Sequence, residues 1–123
     1  MQPLPTVPSP ARIQLDQWRY YLNFCTTSYS FAFASLQDWL DEVDWMALHG
    51  INMPLATAGT EHVEALAYGA LGLTEAELED FFPGVAFLAW NRMANMDGPF
   101  GGPLSPGWRE RKGKEMALVY QRL

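Results

Sequence analysis

From Trp18 to Thr26 the chain reads WRYYLNFCT, an aromatic-rich run without Gly or Pro, and this pattern predicts a β-strand. Tyr20, Leu22 and Phe24 share one face and Tyr21, Asn23 and Cys25 the other. Both faces are largely apolar, as in a strand buried within a parallel sheet. A hydroxyl-rich exit follows, from Thr26 to Ser30. Trp39, Leu40, Val43, Met46 and Ala47 then recur at helical spacing, with Asp41, Glu42 and Asp44 filling the opposite face. Ser35 is placed to cap that helix, with Asp38 three residues on, and Gly50 to end it in a left-handed conformation. The apolar run Ile51–Thr57 predicts a second strand, in which Pro54 fits an edge or a bulge better than a central ladder. Strand, helix and strand make a βαβ unit with parallel strands. A compact fold of this pattern buries Trp39, Leu40 and Trp45 between helix and strands. The apolar surface over Phe24, Ile51 and Leu55 then needs cover from another element, such as the N-terminal arm or a second copy.

Beyond the second strand the periodicity stays helical. One helix spans Thr60 to Ala70 and stops at Gly72. Thr74 and Glu77 form a T-x-x-E capping box that opens a short helix into Phe81-Phe82, ended by Pro83-Gly84. Ala86–Met93 is apolar with a polar tip, and Asp97–Gly107 is dominated by Gly and Pro and predicts a loop. Ser105 and Pro106 start a last helix by N-cap and N1 proline. Roughly 50 residues thus separate the second strand from the last helix, where a βα connection ordinarily takes a few. Long insertions after a strand's C-terminal end are typical where a barrel builds its active face. A third strand is missing after the last helix, so the pattern reads as cut short. The four prolines of residues 1–10 mark an extended, proline-rich lead-in over residues 1–17, with the folded portion over 18–123.

Length and composition narrow this further. At 123 residues, 49% hydrophobic and 14% aromatic, the chain suits one globular domain. No apolar run reaches the ~18 residues of a membrane span, and no secretory signal is visible at the N-terminus. Cys25 is the only cysteine, which excludes an internal disulfide, and with His49 and His62 it cannot complete a four-ligand zinc cage. The net charge of −6 is segregated: residues 38–80 hold ten acids and no Lys or Arg, and residues 81–123 hold six bases and three acids. An acidic middle argues against a nucleic-acid groove. Arg109, Arg111, Lys112 and Lys114 are expected on a solvated helix face, as are Glu75, Glu77, Glu79 and Asp80.

Several collinear motifs resemble one family. They are Tyr20-Tyr21-x-Asn23-x-Cys25-Thr26-x-Ser28-Tyr29-Ser30-Phe31, Asp44-Trp45-Met46-Ala47-Leu48-x-Gly50-Ile51-Asn52, Ala70-Leu71-Gly72-Leu73-Thr74, Phe81-Phe82-x-Gly84-x-Ala86-Phe87-Leu88-Ala89-Trp90-x-Arg92-Met93, and Asp97-Gly98-Pro99 through Trp108. In this order they resemble the α-N-acetylglucosaminidases, glycoside hydrolase family 89, over residues 19–122. The resemblance implies an α/β fold, a partial (β/α)8 TIM barrel made of its first two βα units plus a long helical insertion after strand two. It also implies a retaining glycosidase that removes terminal α-linked N-acetylglucosamine. Such enzymes work with two carboxylates about 5–5.5 Å apart. In this family both glutamates lie on later strands, the acid/base in an Asn-Glu pair, and this sequence has no Asn-Glu dipeptide. The 123 residues alone are therefore expected to be inactive, the alternative being a non-catalytic carbohydrate-binding or interaction module derived from the barrel. Thr57-Ala58-Gly59-Thr60-Glu61 stands where the family has Trp-Ser-Gly-Gln-Glu, Ala32-Phe33-Ala34 where it has a double Trp, and Asn91 where Gly is common.

The resemblance makes the partner a glycan ending in N-acetylglucosamine, with no cofactor or metal, and with unpaired strand edges as a route to self-association. Family members are lysosomal or secreted. Glu61, past the second strand, is a candidate acceptor for sugar hydroxyls, or else a first-turn Glu that suits the helix dipole. Asn52 is a candidate sugar contact, or a buried amide bonded to a neighbouring strand. Trp90 is a candidate stacking face for a pyranose, or core, and Asn91 a partner for hydroxyls or an acetamide. Tyr29, with Ser28 beside it past strand one, is a candidate pocket wall. Cys25 is expected to be a small buried apolar residue, His49 to sit at a helix C-terminus, and His62 in a first helical turn.

Overall fold

A computed structural model describes residues 17–123; the proline-rich lead-in lies outside them except for Gln17. Only a short stretch of the first aromatic run is strand. β1 is Tyr20–Tyr21 and β2 is Met53–Pro54, paired in parallel with Tyr20 opposite Met53 and Tyr21 opposite Pro54. The parallel βαβ unit stands, but both strands are far shorter than the apolar runs predicted. The reason lies in Leu22 and Asn23. Leu22 takes a left-handed φ of 69°, which breaks the extended run. The Asn23 side chain then accepts from the Thr26 N–H at 2.9 Å and caps a 3₁₀ turn over Phe24–Ser28. A local side-chain acceptor wins over the ladder.

α1 spans Leu36–Leu48. Ser35 accepts from the Asp38 N–H while the Asp38 carboxylate accepts from Ser35 N–H at 2.8 Å, a complete capping box. The Ser35 contacts hold the Asp38 carboxyl below its ordinary range. Replacing Ser35 by Ala is expected to cost about 1 kcal/mol, read as a lower urea midpoint at unchanged slope. Gly50 follows the helix at φ 68° as predicted. Trp39, Val43 and Met46 form the buried stripe. Leu40 is half-buried, but Trp45 is 41% exposed, contrary to expectation. Six residues past Trp39, it lies well off the stripe at 3.6 residues per turn. There its ring contacts Tyr21 at 5.2 Å and stacks on His49 at 4.0 Å. Phe24, Ile51 and Leu55 are half-buried within the described residues.

The rest is helical: α2 Thr60–Ala70, α3 Glu75–Phe81, α4 Leu88–Arg92 and α5 Pro106–Tyr120. Two apolar centres hold these elements. Trp39, Val43 and Met46 of α1 pack with Ala58 and with Met116 and Val119 of α5. Leu78, Phe82, Leu88 and Leu104 form the second, between α3, α4 and the Gly/Pro loop. That loop runs backbone to backbone against the α3 exit. The Gly84 N–H donates to the Phe100 carbonyl at 2.7 Å, and a Cβ on Gly84 would lie 2.5 Å from the Gly101 carbonyl carbon.

The basic cluster of α5 is not one solvated face. Arg109, Lys112, Met116 and Val119 follow one stripe turned toward the protein. Arg109 is 3% exposed, pairs with Glu75 and lies 5.4 Å from the Phe82 ring centroid. Lys112 donates to the Ala34 carbonyl at 3.1 Å and to Glu115 at 2.7 Å. Arg111 and Lys114 alone remain on the outside. Among the described residues no helix is long and apolar enough to cross a membrane.

Candidate functional site

The parallel pairing puts the C-terminal ends of β1 and β2 at one end of the fold, and the chain leaving each strand supplies that end's side chains. After β1 come the 3₁₀ turn and Tyr29. After β2 come Ala58, Gly59 and the start of α2 with Glu61. α4 closes over them. The Ser28 hydroxyl, buried, accepts from the Ala89 N–H at 2.8 Å and fixes α4 on the 3₁₀ turn.

Glu61 is wholly buried. Its Oε1 accepts from Arg92 Nε at 2.6 Å, and Arg92 Nη1 donates to Thr27 Oγ1 at 2.6 Å. The Thr27 hydroxyl in turn donates to the Phe24 carbonyl at 2.8 Å. One guanidinium therefore ties α2, α4 and the 3₁₀ turn together. The Arg92 side chain is 5% exposed, so this is an ion pair inside the protein. Glu61 Oε2 and Thr57 Oγ1 are buried at the same corner with no hydrogen-bond partner among the described residues. Below them the Tyr120 hydroxyl donates to the Ala58 carbonyl at 2.7 Å, and burial pushes its pKa up to about 12.

Trp90 of α4 belongs to an aromatic wall. Tyr29, 66% exposed, meets the half-buried Trp90 at 5.7 Å between ring centroids, and Phe87 stands 6.1 Å from Trp90 on the other side. Asn91 turns away from this wall. Its amide Nδ2 donates to the Met96 carbonyl at 3.2 Å, and the residue lines a separate cavity with Arg92. Asn52 lies at the opposite end, just ahead of β2. Its Oδ1 accepts from the Arg19 N–H at 2.8 Å and its Nδ2 donates to the Gln17 carbonyl at 3.0 Å, so the amide fastens the two strand starts together. The structure thus brings Tyr29 and Trp90 together, ties Glu61 to α4 through Arg92, and leaves Asn52 apart. Cys25 is exposed rather than buried, because the 3₁₀ turn carries it off the predicted strand face. His49 caps the C-terminus of α1, its Nδ1 2.8 Å from the Trp45 carbonyl oxygen. His62, in the first turn of α2, packs against Gly113 of α5. Among the described residues no group of three His, Cys, Asp or Glu is arranged to hold a metal.

Arg92 is the residue missed by reading the sequence for chemistry. A signal existed: it is the only Lys or Arg between Arg19 and Arg109, directly after an apolar run. Glu64 was missed too. Burial holds its carboxyl above the ordinary glutamate range, the Glu61 charge adds to the rise, and Arg92 offsets part of it. A carboxyl raised in the folded state favours folding at low pH, and that contribution is lost as pH rises through its folded value. Glutamine keeps the neutral form throughout. Glu64→Gln is expected to melt above the wild type at pH 7, the difference closing as pH falls through the glutamate range; a lower melting point at pH 7 would contradict this.

A family model for the α-N-acetylglucosaminidase TIM-barrel domain matches residues 19–123. The chain belongs to the α-N-acetylglucosaminidase family. It is 49% identical over 108 residues to human α-N-acetylglucosaminidase, a match that covers 87% of this chain and 14% of the human protein. Family 89 glycoside hydrolase structures from Clostridium perfringens superpose with a TM-score of 0.81 at 36% identity, over 86% of this chain and 12% of theirs. One of these holds 2-acetamido-1,2-dideoxynojirimycin, and another its substrate GlcNAc-α-1,4-galactose. The chain therefore spans about an eighth of the length of these relatives.

Proposed function

We propose that these residues form the first two βα units of a (β/α)8 barrel in a retaining α-N-acetylglucosaminidase, with the long insertion after β2 as part of its active face. Tyr29 and Trp90 form the wall on which the N-acetylglucosamine ring lies. Glu61 serves by holding Arg92, rather than by touching sugar. Asn91 secures the loop behind α4, and Asn52 secures the strand starts. The nucleophile and the acid/base come from later barrel strands. The first displaces the leaving group at the anomeric carbon and the second gives it a proton, then activates water.

The observation that carries the proposal is the Tyr29–Trp90 pair at the C-terminal ends of the strands, where barrels place their chemistry. Titration of the 123-residue chain with N-acetylglucosamine is expected to shift Trp90 and Tyr29 resonances, and Trp90→Ala to weaken that response by roughly tenfold, or about 1.4 kcal/mol. An aryl α-N-acetylglucosaminide is expected to stay uncleaved. Turnover by the chain that is abolished in Glu61→Gln would overturn the assignment.

A further inference from the structure

Behind α4, on the side away from Trp90, a cavity of about 590 Å³ opens between α2, α3 and the turn that follows α4. Its volume is in the range of small-molecule sites. The charges around it are unbalanced. Glu64 and Asp97 face it, and its one cation, Arg92, is already answered by Glu61 at 2.6 Å. Glu64 is half-buried and makes no hydrogen bond within the described residues, and the buried Glu61 behind it keeps one oxygen without a donor. A positive group beside Glu64 would offset, by its charge, the desolvation and the neighbouring Glu61 charge that hold its carboxyl high.

The remaining walls restrict the ligand further. Tyr68 and Phe81 meet edge to face at 5.6 Å and 86°, which presents aromatic surface to a cation and to carbon-bound hydrogens. Asn91 spends its Nδ2 on the Met96 carbonyl and keeps its Oδ1 as an acceptor. Arg92 donates through Nε and Nη1 to the protein and has Nη2 left as a donor. An anion meets net negative charge here, and a purely apolar ligand leaves these polar groups unpaired.

We propose that this cavity is a second ligand site, taking a small hydroxylated primary ammonium with its nitrogen against Glu64 and its hydroxyls on Asn91 and Arg92. The site is distinct from the Tyr29–Trp90 wall and does not depend on its reading.

The test is a resonance-resolved titration of the 123-residue chain with glucosamine, using N-acetylglucosamine and sorbitol as neutral probes. Glucosamine is expected to shift signals of Glu64, Tyr68 and residues 94–97, and the neutral probes to leave those signals in place. Glu64→Gln is expected to keep the fold and to weaken the glucosamine response by about tenfold, and Phe81→Leu by a smaller factor. Tyr29→Ala is expected to leave it unchanged. No response to glucosamine, an equal response to sorbitol, or an unaltered response in Glu64→Gln would each overturn the proposal. Loss of the N-acetylglucosamine shifts at Trp90 alone would count against the barrel-wall reading and leave this site standing.

Discussion

Arg92→Met is expected to cost the fold about 3–5 kcal/mol, the range for breaking a buried ion pair by removing one partner. Glu61 is wholly buried, one of its oxygens has no donor among the described residues, and the substitution removes the donor from the other. Thr27 loses its contact with α4 in the same step. The paired substitution Glu61→Leu with Arg92→Met removes both charges and is expected to recover most of the loss, because two buried ions exchanged for apolar groups of similar size are often neutral or better. Urea denaturation of the wild type, the single variant and the double variant reads this directly. A single variant within 1 kcal/mol of the wild type, with unchanged slope, would show that water reaches Glu61 and that the pair is not interior.

Gly84→Ala is expected to be damaging for a different reason. The backbone angles at Gly84, φ −62° and ψ 163°, suit any residue. The obstacle is the chain packed against it. A methyl group there would lie 2.5 Å from the Gly101 carbonyl carbon and 3.0 Å from the Gly102 nitrogen, both backbone atoms that cannot swing aside. Accommodating it means parting the Gly/Pro loop from the α3 exit and lengthening the Gly84–Phe100 hydrogen bond. The cost is on the order of 3 kcal/mol, the upper end for overpacking. Leu104 anchors the same loop in the second apolar centre, so melting of the variant is expected to begin there, visible as early loss of protection at Phe82 and Leu104. A variant with wild-type stability would mean that the loop is free to move outward.

How far the fold was legible depended on what carried each element. Helix starts and stops rest on single residues with local chemistry, so Ser35, Thr74, Ser105 and Gly50 were read correctly. Parallel pairing followed from order and length. The strand extents did not, because apolar runs cannot show that Asn23 offers Thr26 a better acceptor than a neighbouring strand. The buried side of α5 escaped for a related reason. Its inner stripe is half cation, and the partners that make Arg109 and Lys112 interior, Glu75 and the Ala34 carbonyl, are distant in sequence. The wall residues Tyr29 and Trp90 were legible as aromatics past a strand or an apolar run, whereas Arg92 acquires meaning only once Glu61 and Thr27 are brought beside it.

Three ion pairs, Glu61 with Arg92, Glu75 with Arg109 and Asp44 with Arg122, each join an acid of residues 38–80 to a base of residues 81–123. A ribosome makes these in a fixed order. The acidic stretch emerges with its ten negative charges unanswered, repelling itself in solution, and the counter-charges arrive only later, with Arg92, Arg109 and Arg122. These three contacts can therefore form only after the whole acidic stretch has been made.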